Sequence, residues 1–93
     1  MTVADTIRAK LTDALAPDAL TIEDESARHA GHSGASPEGE THFHVRIVSA
    51  RFEGVSRIER QRRVYAVLAE ELKMRVHALA LTTLTPKEAS RDG

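Results

Sequence analysis

Apolar residues recur along this chain at two different periods, and the changes of period mark its elements. Val3, Ile7, Leu11, Ala14 and Leu15 stand three and four apart, which predicts a first helix with one apolar stripe. Thr2, followed by Asp5 three residues on, supplies a cap for it, and Pro17 an end. Leu20 and Ile22 then alternate with Thr21 and Glu23, so the period falls to two and predicts a short strand to about Glu25. The same alternation returns in Phe43, Val45 and Ile47 against His42, His44 and Arg46, a second strand with one buried face. Between the two, Ala27 to Glu40 has no apolar period and holds three glycines and a proline, which predicts a long, mobile loop joining a hairpin.

The stretch from Ser49 to Leu81 organises the rest. Ser56-Arg57-Ile58-Glu59 reads as a reciprocal capping box that starts a main helix after the connector Phe52-Glu53-Gly54-Val55. Ile58, Tyr65, Leu68 and Leu72, with Val64 beside them, predict the stripe that meets the core, and Lys73 and Arg75 suit the helix's negative end. Val76 to Leu81 follows as a third strand. Thr85-Pro86-Lys87-Glu88 then offers a cap, a proline at the first helical position and an acid at the third, hence a short C-terminal helix. The predicted order is α-β-β-α-β-α, an α+β fold with a three-stranded sheet and its helices on one face.

Composition narrows the function. At 93 residues the chain is expected to form one domain, residues 1–93, with an ordered core over about 3–88. A net charge of −1 gives no bulk attraction to nucleic acid or membrane, so any such affinity is local. The chain has no cysteine, which removes disulfides, thiol catalysis and any metal centre built on its own thiolates. No apolar run reaches transmembrane length and no signal-peptide pattern opens the chain, so a cytoplasmic protein without a membrane partner is expected. Phe43, Phe52 and Tyr65 are the only aromatic residues, too few for an obvious base-stacking platform.

Chemistry can sit in two places. His29 and His32 are spaced as His-x-x-His in the loop, and His42 and His44 share the outward face of a strand. Four imidazoles joined by a hairpin suit zinc, although surface histidines also need no special role. His77 shares parity with Leu79 and Leu81, so it is either a hydrogen-bonded histidine at the core margin or a ligand held by a strand. The second place is Arg57, Arg60 and Arg63 on the main helix, where Arg60 and Arg63 are expected to face the same way, either toward a phosphate backbone or simply toward solvent. Glu23, Asp24 and Glu25 are consecutive and point alternately, a poor acid/base pair. No nucleophile–base arrangement occurs, and no small-molecule substrate or enzymatic activity is expected.

Taken together, Asp24-Glu25-Ser26 with His29, Glu40-Thr41-His42-Phe43, Ile47-Val48-Ser49, Arg51-Phe52-Glu53-Gly54, Arg60 to Tyr65, Leu68 to Leu72, Val76-His77-Ala78-Leu79 and Thr85-Pro86 resemble the BolA family, over about Ile7 to Glu88. The resemblance implies a KH-like fold of the class II type without the Gly-x-x-Gly loop. It implies a heterodimer with a monothiol glutaredoxin, bridged by a [2Fe-2S] cluster with the glutaredoxin's glutathione, and a role in iron–sulfur cluster handling or iron sensing. DNA-binding transcriptional regulation is the family's other implied role. Position by position, His77 and His29 become the iron ligands, with His32 as the alternate loop ligand. Where the family's helix reads Arg-His-Arg, this chain has Arg60-Gln61-Arg62.

Overall fold

Caps written in the sequence, at Thr2, Ser56 and Thr85, start helices of the computed structural model, which describes residues 2–25 and 41–92. The first helix, α1 (Val3–Leu15), opens on a complete reciprocal box: the Thr2 hydroxyl accepts the Asp5 N–H and the Asp5 carboxylate accepts the Thr2 N–H, both at 3.0 Å. Those bonds hold the Asp5 carboxyl below its ordinary value, the bond from the Thr2 backbone contributing most. The helix ends where Ala16 turns left-handed (φ 42°) while its N–H still reaches the Thr12 carbonyl at 3.0 Å.

The sheet follows the alternation. Strand β1 (Ala19–Asp24) pairs antiparallel with β2 (His42–Val48), from Ala19 opposite Val48 to Asp24 opposite Phe43. Strand β3 (Ala78–Leu84) lies parallel to β2 on its other side, His42 opposite Ala78 through Val48 opposite Leu84, so β2 is central. A parallel neighbour requires a crossover. Here a 3-10 turn (Ala50–Phe52) and helices α2 (Arg57–Val67) and α3 (Ala69–Met74) supply it, and α4 (Pro86–Asp92) ends the chain. Gly54 takes the left-handed conformation (φ 73°) in the turn before the Ser56 cap, where a side chain would be strained. Ile7, Leu11 and Leu15 of α1 pack with Phe43, Val45 and Ile47 of β2, and Phe52, Val64, Leu68 and Val76 of the crossover complete the core.

Four expectations are corrected here. The main helix is two helices, hinged at Leu68 (φ −101°, ψ 20°). Lys10 grips Glu71 through both carboxylate oxygens at 2.9 and 3.0 Å and so ties α3 to α1. The buried line of α2 runs Arg60, Val64, Leu68, whereas Ile58 and Tyr65 are 65% and 40% exposed, because helical spacing of four from Val64 and Leu68 selects Arg60 and not Ile58. The Ser56 box is half made, with its hydroxyl accepting the Glu59 N–H at 3.2 Å while the Glu59 carboxylate lies 3.6 Å from Arg62. The third strand begins at Ala78 and runs on to Leu84, since β2 offers partners as far as Val48 and Val76 spends its N–H on the Glu71 carbonyl. The expected loop Ala27–Glu40, with His29 and His32, lies outside the described residues.

Candidate functional site

One end of the sheet gathers the starts of β2 and β3 and the finish of β1. The Thr41 carbonyl accepts the N–H groups of both His77 (2.7 Å) and Ala78 (3.2 Å), and the Glu25 N–H reaches the His42 carbonyl at 2.6 Å. His77 therefore stands just before β3 on backbone pinned to the central strand, with its side chain exposed. The core-margin reading of His77 does not hold, because the strand parity that buries Leu79 and Leu81 in part begins only after it. The His42 ring stacks against the His77 ring, centroids 6.2 Å apart, and its Nδ1 is hydrogen-bonded to the Thr41 hydroxyl at 2.9 Å. A groove of about 300 Å³ runs beside His77 along Leu72, Lys73, Met74, Arg75 and Val76. Met74 at its rim is 78% exposed.

This end is chemically suited to lend one imidazole outward. Its exposed ring projects from fixed backbone, and a cationic and apolar groove adjoins it. Both flanks of the segment carrying His29 and His32, Glu25 and Thr41, meet at the same sheet end. Two members of the four-histidine zinc grouping, His29 and His32, lie outside the described residues; of the other two, His42 stacks on His77 and His44 is hydrogen-bonded through Nε2 to the Thr82 hydroxyl at 3.0 Å.

The arginine face is partly dismantled. The expectation that Arg60 shares an open face with Arg63 is corrected, since the Arg60 guanidinium is buried. Its Nε donates to the Val55 carbonyl (2.8 Å), its Nη1 to the Thr83 carbonyl (3.1 Å) and to Glu88 Oε1 (2.7 Å), and it stacks 5.6 Å above the Phe52 ring. Glu88 also completes the cap of α4, accepting the Thr85 N–H at 2.9 Å while its own N–H reaches the Thr85 hydroxyl at 3.2 Å. Arg60 and the Thr85 N–H together hold the Glu88 carboxyl down to about 2. Arg57 and Arg63 remain exposed. Sequence reasoning read Glu88 as a cap and missed it as the partner of Arg60; the available signal was an arginine in the apolar register of α2.

Comparison with known proteins agrees with this architecture. The family described as BolA-like protein matches residues 11–88. BolA-like protein 1 of Homo sapiens is 50% identical over 82 residues, 88% of this chain and 57% of the human protein. The DNA-binding transcriptional regulator BolA of Escherichia coli K12 is 46% identical over 88 residues, 95% of this chain and 80% of that one. Among solved structures, the BolA domain of SufE1 from Arabidopsis thaliana superposes with a TM-score of 0.82 at 44% identity, covering 95% of this chain and 98% of that one. The chain belongs to the BolA-like family. It spans under three fifths of the human relative's length. Among the described residues no helix is long and apolar enough to cross a membrane.

Proposed function

We propose that this chain is a non-enzymatic adaptor that shares a [2Fe-2S] cluster with a monothiol glutaredoxin, in iron–sulfur cluster handling or iron sensing. The observation that carries the reading is His77: an exposed imidazole on backbone pinned to the central strand, at the sheet end where the His29 segment leaves and returns. A chain without cysteine cannot hold such a cluster alone, but imidazole on one iron beside thiolates on the other is established chemistry in Rieske centres. His77 and a loop histidine, His29 with His32 as the alternate, would ligate one iron, and the partner's thiolate and glutathione the other. The occurrence of the same domain within the larger SufE1 of A. thaliana supports a module that works through what it is joined to.

The test mixes the protein with a cluster-loaded monothiol glutaredoxin and follows visible absorption and circular dichroism. A new mixed-ligand spectrum is expected. His77→Ala abolishes it, and so does His77→Ala with His42→Ala, which also removes the imidazole stacked on His77; His29→Ala alters it, and the double change at His29 and His32 matches His77→Ala. A wild-type spectrum retained by His77→Ala would remove His77 from the site.

A second reading, DNA binding by the open face of α2, draws on the role named for the E. coli relative. With Arg60 committed to Glu88, it rests on Arg57 and Arg63.

A further inference from the structure

The outward face of the sheet, away from the core, carries another set of metal-type donors. Alternation places Glu23, Glu25 and His44 on this face, and the antiparallel register sets Glu23 directly opposite His44. One carboxylate oxygen from each glutamate and one ring nitrogen of His44 all lie within 4.8 Å of one another. We propose that Glu23, Glu25 and His44 form a surface site for a divalent cation of the zinc class, separate from the shared-cluster reading and independent of it.

Three observations support it. The donor set pairs two carboxylates with an imidazole, which suits zinc and its neighbours and not magnesium or calcium, whose sites are built from oxygen. A tetrahedral zinc with bonds of about 2.0–2.2 Å holds its donors about 3.3–3.6 Å apart, so side-chain torsions suffice to close the set. The backbone beneath does not have to move, because the β1–β2 pairing and the Glu25 N–H bond to the His42 carbonyl at 2.6 Å already fix it.

The orientation of His44 is the second observation. Its Nε2 is hydrogen-bonded to the Thr82 hydroxyl of β3 at 3.0 Å, outside the donor set. With the proton on Nε2 donated to Thr82, the lone pair falls on Nδ1 and the ring plane is held. Metal-bound histidines are held in this way by an outer partner.

The third is charge. Two carboxylates are brought together on a face where Glu23 has no ion pair among the described residues, although Arg46 lies on the same face. A cation between them gains Coulomb attraction to both carboxylates. The three ligands leave a fourth position for water.

The experiment titrates Zn²⁺ alone, against a competing chromophoric chelator, into the 93-residue chain carrying His29→Ala, His32→Ala and His77→Ala as background. One equivalent should bind. Glu23→Gln or His44→Ala added to that background should weaken it at least tenfold, and Thr82→Val by about tenfold, the usual effect of losing an outer partner. In ¹⁵N spectra His44 Nδ1 should be the imidazole nitrogen that shifts, and Zn²⁺ should raise the melting temperature of the background but not of its Glu23→Gln derivative. Glu23 is exposed and Gln is its isostere, so that variant keeps the test decisive even where His44→Ala fails to fold. No binding to the background, or binding that ignores both Glu23→Gln and His44→Ala, overturns the proposal.

Discussion

A guanidinium occupies the position where the buried line of α2 meets the sheet, and it is tolerated there because Glu88, 28 residues away, meets it with both oxygens at 2.7 and 3.3 Å. Glu88 is depressed in the folded state to about 2 against an ordinary value of 4.5, so its contribution to stability is complete above about pH 4.5 and is lost as pH falls toward 2. Glu88→Gln should therefore lower stability at neutral pH and flatten that acid limb of the stability curve, measured by urea unfolding across the range; a limb identical to wild type would show that the pair is not formed in solution. Arg60→Ala strands the Val55 and Thr83 carbonyls as well, and a buried carbonyl left without its donor costs about 1–3 kcal/mol. Arg63→Ala, on the exposed face, should stay within about 0.5 kcal/mol of wild type.

At the scale of elements, the caps and alternations were legible because their causes are local. Thr2 with Asp5, Ser56 with the Glu59 N–H and Thr85 with Glu88 each satisfy helix-terminal groups within one turn. The bounds of β3 and the identity of the α2 stripe were not legible, because a parallel partner and an ion-pair partner set them from far along the chain. Ile58 and Tyr65 look like core residues by hydropathy alone, and Arg60 does not. The difference is measurable. Leu68→Ala removes a side chain packed in the core and should cost about 2–5 kcal/mol, whereas Ile58→Ala on the exposed side of α2 should stay within about 0.5 kcal/mol. Equal urea midpoints for the two variants would mean that the stripe still runs through Ile58.

For the molecule as a whole, the sheet end at Thr41 places His77 beside the flanks of the His29 segment; the hairpin was legible in the alternation, but the parallel placement of β3 that brings His77 there was not. The pairing of Glu23 and Glu25 with His44 was not foreseen: read along the chain the acids point alternately, and only the cross-strand register brings them to one imidazole. The same distinction separates the two functional readings. With a net charge of −1, any grip on DNA has to come from a few exposed arginines, and removing each arginine that neutralises a phosphate should reduce the salt slope of the binding constant by about 1. Arg57→Ala together with Arg63→Ala should therefore flatten that slope by about 2, measured by fluorescence anisotropy with a labelled duplex between low and physiological salt. Arg60→Lys should leave the slope unchanged, since the Arg60 guanidinium faces Glu88 and the Thr83 carbonyl and not solvent. Weak, steeply salt-dependent binding is the expected wild-type behaviour; a tight complex indifferent to salt and to both exposed arginines would place any DNA-binding surface somewhere other than α2.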